Sequence, residues 1–172
     1  MFRGAKGSCR QEAIRKFALP GSSLLALLLG IAVYLLDRDW SSTLFLAPLV
    51  AHQPQVFGFF GSLGQVLPSF LHAYAFALLL ILALGSYRYA RHVGALGWFT
   101  LAAGLEVLQA DHFHALFAAP VPQHAASAVL GGIQLYVVNG HFDPRDLLAA
   151  GLGCVAAFAI ASVLEEQNEH PH

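Results

Sequence analysis

Residues 69–85 have the sequence SFLHAYAFALLLILALG, an apolar run without a charged side chain. A helix needs roughly 20 mostly apolar residues to cross the hydrocarbon core of a bilayer, because each residue advances the helix by about 1.5 Å. Pro68 precedes the run and suits the first turn of a helix, where its missing N–H costs no hydrogen bond. The stretch therefore predicts a membrane-spanning helix.

Three further segments have a similar character, at residues 17–36, 92–110 and 144–164. The first follows a basic stretch and runs directly into Asp37 with no small-residue cleavage site, which favours a retained signal anchor over a cleaved signal peptide. The sequence thus predicts an all-α fold, a polytopic membrane bundle of four transmembrane helices.

The bundle is expected to form a single transmembrane domain over residues 17–164. A basic tail, residues 1–16, precedes it, and an acidic tail, residues 165–172, follows it. Both tails are expected to be solvated, and the basic one is placed to touch anionic lipid.

The composition supports a membrane protein and excludes other classes. Hydrophobic residues make up 57% of the 172 residues and charged residues only 11%, whereas a soluble domain has about a quarter charged. The net charge of −1 leaves no basic surface for nucleic acid. Cys9 and Cys154 are too few for a disulfide framework.

Lysine and arginine residues are distributed unevenly around the four spans. Seven lie before the first span or between the second and third, whereas Arg38 and Arg145 lie near the other side. Positive charge concentrates on the cytoplasmic side of membrane proteins, so both termini are expected in the cytoplasm. The seven residues are Arg3, Lys6, Arg10, Arg15, Lys16, Arg88 and Arg91.

Several apolar stretches in the outer loops leave the number of spans open. Residues 125–138, AASAVLGGIQLYVV, are short for a span and are interpreted as an interfacial or re-entrant helix. As a fifth span they would place the C-terminus outside. Residues 43–51 and 56–67 are also apolar and are expected either at the interface or packed on the bundle, with Trp40 as an aromatic anchor.

Polar residues at the outer ends of three spans form the candidate site. Glu106 and Gln109 lie three residues apart near the outer end of the third span, and His72 lies about one turn inside the second. Asp143 and Asp146 lie at the start of the fourth span. Since a carboxylate in the bilayer is costly unless it is protonated, paired or near water, their common depth predicts a polar, ligand-binding cluster.

Structural roles remain open for the same residues. Asp143 is well placed to cap the fourth helix, with Pro144 in its first turn. Asp146 also suits a helix N-terminus electrostatically. His72 can serve as a hydrogen-bonding residue between helices, and Glu106 can form an essential structural pair.

Histidines beyond the third span are weaker candidates, for a metal or haem site. His112 and His114 form an H-x-H pair and His141 lies further along, but the pair points to opposite sides of a helix or strand. HExxH and CxxCH motifs are absent. We therefore predict that the protein binds no cofactor. His112, His114 and His141 are the candidate ligands for the less favoured alternative, a metal or haem site.

Two further patterns concern packing and catalysis. Small residues recur every fourth position on one face of the last span, which favours close packing inside the bundle over dimer formation. Neither cysteine has an evident base partner and no GxSxG motif occurs, so the sequence favours a protein that is not an enzyme. The small residues are Ala149, Gly153, Ala157 and Ala161.

The same polar residues carry a family resemblance. A histidine opens LHAYAF at residues 71–76, an acidic-x-x-Gln motif closes LEVLQ at 105–109, and GHFDPRDLLAAGLG at 140–153 enters the last span. With these motifs the chain resembles the VanZ-like family of small bacterial membrane proteins, over roughly residues 64–159. The resemblance is a divergent one, since histidine and alanine stand at positions 141 and 150, where the family often has arginine and asparagine.

The resemblance implies a multi-pass protein of the bacterial inner membrane with an envelope role and no defined reaction. Together with the apolar outer loops and the histidines described above, it leaves three functions as hypotheses. The first is binding of an amphiphile, a lipid-linked precursor or antibiotic, at the polar cluster. The second is an accessory subunit of a larger membrane complex, joined through the apolar outer loops 43–67 and 115–138. The third is a metal- or haem-bearing redox subunit.

Overall fold

The computed structural model describes most of the chain. The described residues are 4–37, 58–85, 87–110, 112–113, 134, 137–138 and 140–169, with side chains described from residue 17 to residue 165. Within these ranges the chain is helical and contains no β-strand, which confirms the all-α prediction for this part of the molecule. The long helices are α1 (Gly4–Asp37), α2 (Leu63–Leu84), α3 (Ala90–Leu108) and α4 (Pro144–Glu169).

Three of these helices are long and apolar enough to cross a bilayer. The segments are Phe17–Asp37, Leu63–Leu84 and Pro144–Glu165, and several such helices are typical of a multi-pass membrane protein. The third helix, α3, is not among them, and its sequence includes Arg91, His92 and Glu106.

Successive helices run antiparallel. Near the end of α1, Asp37 lies against the start of α2 at Gly64, and Gly30 lies beside His72 further along. Between α2 and α3, Ile81 lies against Gly94, and the rings of Phe76 and Trp98 stack with centroids 4.7 Å apart.

The contacts between α3 and α4 follow the same pattern. Glu106 meets Asp143 at one end, Phe99 packs on Gly151, and Arg91 pairs with Glu165 at the other end, N to O 2.9 Å. The end of α1, the start of α2, the end of α3 and the start of α4 therefore lie together. We call this the acidic end of the bundle, defined by Asp37, Glu106, Asp143 and Asp146.

Helix α2 is the centre of the bundle, since it packs against each of the other three helices. Its Ala75, Ala77 and Leu78 are fully buried. The small residues of the last span, Ala149, Gly153, Ala157 and Ala161, are all buried as well. This confirms the prediction that they pack inside the bundle.

Two helix starts differ from the prediction. Helix α2 begins at Leu63 rather than at residue 69, so that Pro68 lies inside the helix and not in its first turn. The cause is Asp37, whose carboxylate accepts the Phe59 and Phe60 N–H groups, each at 2.6 Å, and fixes the turn before α2. Helix α1 begins at Gly4, so most of the predicted solvated tail is helical.

A candidate polar site at the acidic end

Glu106 joins the end of α3 to the start of α4. Its Oε1 accepts the backbone N–H of Asp143 at 2.8 Å, a contact across 37 residues of sequence. The side chain is half-buried. A hydrogen bond from a backbone amide to a carboxylate is charge-assisted and stronger than one between neutral groups, so this contact ties the two helix ends together.

Asp143 caps α4, and its own backbone N–H donates a hydrogen bond to Glu106. Its Oδ1 accepts the Arg145 N–H at 2.8 Å, and its carbonyl accepts the N–H groups of Asp146 and Leu147 at 3.0 and 3.3 Å. The capping interpretation of Asp143 is thus confirmed, and Pro144 occupies the first helical position as predicted.

Three carboxylates converge here. Asp143 and Asp146 both lie close enough to Glu106 for electrostatic interaction. One carboxylate oxygen of Asp146, Oδ1, is shielded from solvent. The positive N-terminal end of the α4 dipole offsets part of the mutual repulsion. Since ionised carboxylates only accept hydrogen bonds, the arrangement suits a ligand group that donates them, such as an ammonium or hydroxyl.

Gln109 lies next to this group. It is the C-cap of α3, its N–H contacts the Glu106 carbonyl at 3.1 Å, and its side chain is only 5% exposed. A glutamine this buried near the end of a helix places a polar amide inside the acidic end.

His72 lies elsewhere, against α1. A Cβ atom placed on Gly30 would be 3.5 Å from His72 Nε2, and the histidine ring lies 5.8 Å from the Tyr34 ring, centroid to centroid. The ring also hydrogen-bonds the Pro68 carbonyl. The α2–α3 register places His72 about one turn deeper than Glu106, and no contact among the described residues joins the two.

The structure therefore brings Glu106, Asp143 and Asp146 together, sets Gln109 beside them and directs His72 to another face. Sequence reasoning did not find Asp37, whose role depends on a tertiary contact. It also missed a row of rings from three helices, in which His72 continues into Phe76 and Trp98. The four-residue spacing of His72 and Phe76 predicts that these two rings lie on one face of α2. It does not predict that Trp98 of α3 stacks on Phe76, because that contact depends on how the two helices pack.

The histidine candidates for a metal are only partly described. His112 and His141 are exposed, and the His112 ring meets Phe113 edge-on at 5.4 Å. His114 lies outside the described residues. Among the residues whose positions are described, no group of three or more His, Cys, Asp or Glu side chains is arranged to hold a metal ion. The cofactor hypothesis stays a prediction.

The apolar outer loops fall largely outside the described residues as well. Of residues 125–138 the structure describes Gln134, Val137 and Val138, and residues 43–51 are not described. Of the stretch 56–67, residues 63–67 form the start of α2 rather than a separate segment in the loop. The interfacial helices predicted elsewhere in the outer loops, and the accessory-subunit hypothesis built on them, remain predictions.

Comparisons of the chain with protein-family profiles, with curated protein sequences and with solved structures gave no significant match in any of the three.

Proposed function

We propose that this protein is a non-enzymatic, VanZ-like protein of the bacterial inner membrane that binds an amphiphile at its acidic end. The observation that carries the proposal is the Glu106–Asp143 hydrogen bond of 2.8 Å, with Asp146 beside it. A carboxylate within a bilayer is energetically costly, and a neutral side chain would join the helices at lower cost. This favours a functional role for the Glu106 carboxylate.

The proposal includes four spans with both termini in the cytoplasm. Helix α3 has 19 residues and is thus about 28 Å long, close to the roughly 30 Å of a bilayer core. It contacts α2 or α4 at both of its ends. The hydrogen bond between Glu106 and Asp143 supports four spans in total, because one further span between α3 and α4 would place the end of α3 and the start of α4 on opposite sides of the membrane.

The test is Glu106→Gln, with a lipoglycopeptide antibiotic as the probe, the class of amphiphile that the resemblance implies. Glutamine retains an oxygen for the Asp143 N–H, so the bundle is expected to fold, but the negative charge is lost. We expect binding to the purified protein in mild detergent to weaken about tenfold, the effect of one hydrogen bond to a charged group. Cells that carry the variant should show a matching change in susceptibility.

Glu165→Gln is the matched control, because it makes the same chemical change at the opposite end, where Glu165 pairs with Arg91. It is expected to leave binding unchanged. Equal affinities for wild type and Glu106→Gln would contradict the proposed function.

A further inference from the structure

The loop between α2 and α3 carries two tyrosines and an arginine at the end of the bundle opposite the acidic end. Tyr87 and Tyr89 are 56% and 49% exposed, and the Arg88 side chain between them is exposed as well. Phe17, at the start of the α1 span, is 75% exposed at the same end. Tyrosines are enriched where a membrane meets water, because the ring is apolar and the hydroxyl needs a polar partner. We therefore expect this loop at the level of the lipid headgroups.

The backbone of the loop is fixed at both of its ends. Helix α2 ends at Gly85, whose φ of +54° lets the chain turn away from the helix. The Tyr87 N–H donates to the Leu84 carbonyl at 3.1 Å, and the Ala90 N–H donates to the Tyr87 carbonyl at 2.9 Å. The loop thus presents its side chains from a defined position.

The Arg88 guanidinium is held against an aromatic ring. Its Cζ atom lies 5.3 Å from the centroid of the Tyr89 ring, within the range of a cation–π interaction. The Tyr87 ring meets the Tyr89 ring edge-on, with the centroids 6.0 Å apart. A guanidinium that stacks on a ring keeps its N–H groups at the edge of its plane, where they bind two oxygens of a phosphate together. The stacking therefore positions the donors without occupying them.

Positive charge accumulates at the start of α3. Arg88 and Arg91 lie where the helix dipole is already positive, and the first turn of α3 has no acidic side chain. Glu165 pairs with Arg91 at 2.9 Å. Within the part of the chain that the structure describes, no carboxylate forms an ion pair with Arg88. An anion from outside the chain would supply the missing negative charge.

We propose that the loop between α2 and α3 binds an anionic phospholipid, with Arg88 on the phosphate and the tyrosine rings at the level of the headgroup. A lipid is favoured over a soluble anion because the exposed rings place the guanidinium beside the bilayer surface, which is rich in lipid phosphates. Arg15 and Lys16 directly precede Phe17, so the sequence adds two positive charges at this end. The loop is separate from the acidic end, and its lipid binding does not depend on the proposed amphiphile binding there.

Native mass spectrometry of the purified full-length protein tests the proposal, because it counts bound lipids by their mass. The protein in mild detergent is titrated with phosphatidylglycerol and, separately, with phosphatidylcholine of the same chain length. Both headgroups contain a phosphate, but only phosphatidylglycerol has a net negative charge. We expect the first phosphatidylglycerol to bind about tenfold more tightly, the effect of one hydrogen bond between charged groups.

Arg88→Gln removes the charge from an exposed side chain and is expected to leave the fold intact. It should lower the affinity for phosphatidylglycerol to that for phosphatidylcholine. Arg145→Gln is the matched control, because Arg145 is also exposed but lies at the acidic end. It should keep the full preference for phosphatidylglycerol.

Several results would overturn the proposal. A wild-type protein without the preference, or a preference that Arg88→Gln does not change, would show that Arg88 binds no headgroup. An equal loss in Arg145→Gln would show that the net charge of the protein, and not the loop, sets the affinity. Displacement of the lipid by inorganic phosphate at equal concentration would identify a site for a soluble anion instead.

Discussion

At the scale of single residues, the helix packing depends on glycines at the points of closest approach. A Cβ atom placed on Gly153 would lie 2.9 Å from the Tyr74 backbone nitrogen and still closer to the Phe70 carbonyl oxygen. Gly94 lies equally close to α2, with a Cβ position 2.5 Å from Ile81 Cγ1. Small residues allow helix backbones to approach in this way, and in a membrane such packing replaces the hydrophobic effect as the source of association.

We predict that Gly153→Ala destabilises the protein by about 1–3 kcal/mol, because the new methyl group meets backbone atoms of α2 that cannot move aside. Reversible unfolding in a denaturing detergent measures the change. Gly104→Ala is the control, since nothing lies within 4 Å of its Cβ position, and there alanine should stabilise the helix by about 0.5–1 kcal/mol. Similar effects at both positions would show that the close approach does not limit packing.

At the scale of helices, the turn that precedes α2 is held by a residue of α1. Asp37 accepts the Phe59 and Phe60 N–H groups, whereas Ser62, the N-cap residue by position, makes no side-chain capping hydrogen bond. Helix N-termini leave several N–H groups without partners inside the helix. Asp37 thus provides the acceptor for the turn that leads into α2, while the first N–H groups of the helix, those of Leu63 and Gly64, bond the Phe60 and Gly61 carbonyls.

We predict that Asp37→Ala lowers the free energy of unfolding by about 1–3 kcal/mol, as two backbone N–H groups lose a charged acceptor. Ser62→Ala, in the same turn, should change it by less than about 0.5 kcal/mol. The same unfolding measurement compares them. A larger loss for Ser62→Ala would mean that the N-cap side chain, and not Asp37, stabilises this turn.

At the scale of the whole molecule, the arrangement of helix ends predicts the topology. The starts of α1 and α3 lie with the end of α4 at the end of the bundle opposite the acidic end, as the Arg91–Glu165 pair shows for α3 and α4. Reporters fused before Met1 and after His172 are expected to give the same, cytoplasmic, signal. Opposite signals would require an odd number of crossings and would contradict the four-span proposal.

Part of this organisation could be predicted from residues alone. The last helix begins at Pro144 as predicted, because Asp143 is a good cap and proline fits the first turn. The start of α2 could not, since Pro68 suggested a boundary that the contact with Asp37 moves back to Leu63. Of the predicted polar cluster, Asp143 and Asp146 lie near Glu106, whereas His72 turns to α1.

The sequence by itself determined the helical, membrane-type architecture, because hydropathy and capping act over neighbouring residues. It also determined the packing face of α4, since small residues every fourth position lie on one side of a helix. Only the tertiary structure decided that Glu106 holds the Asp143 amide and that His72 faces Gly30. The physical reason is that rotation and register between helices follow from close contacts such as Gly153 against Tyr74, which join residues far apart in the chain.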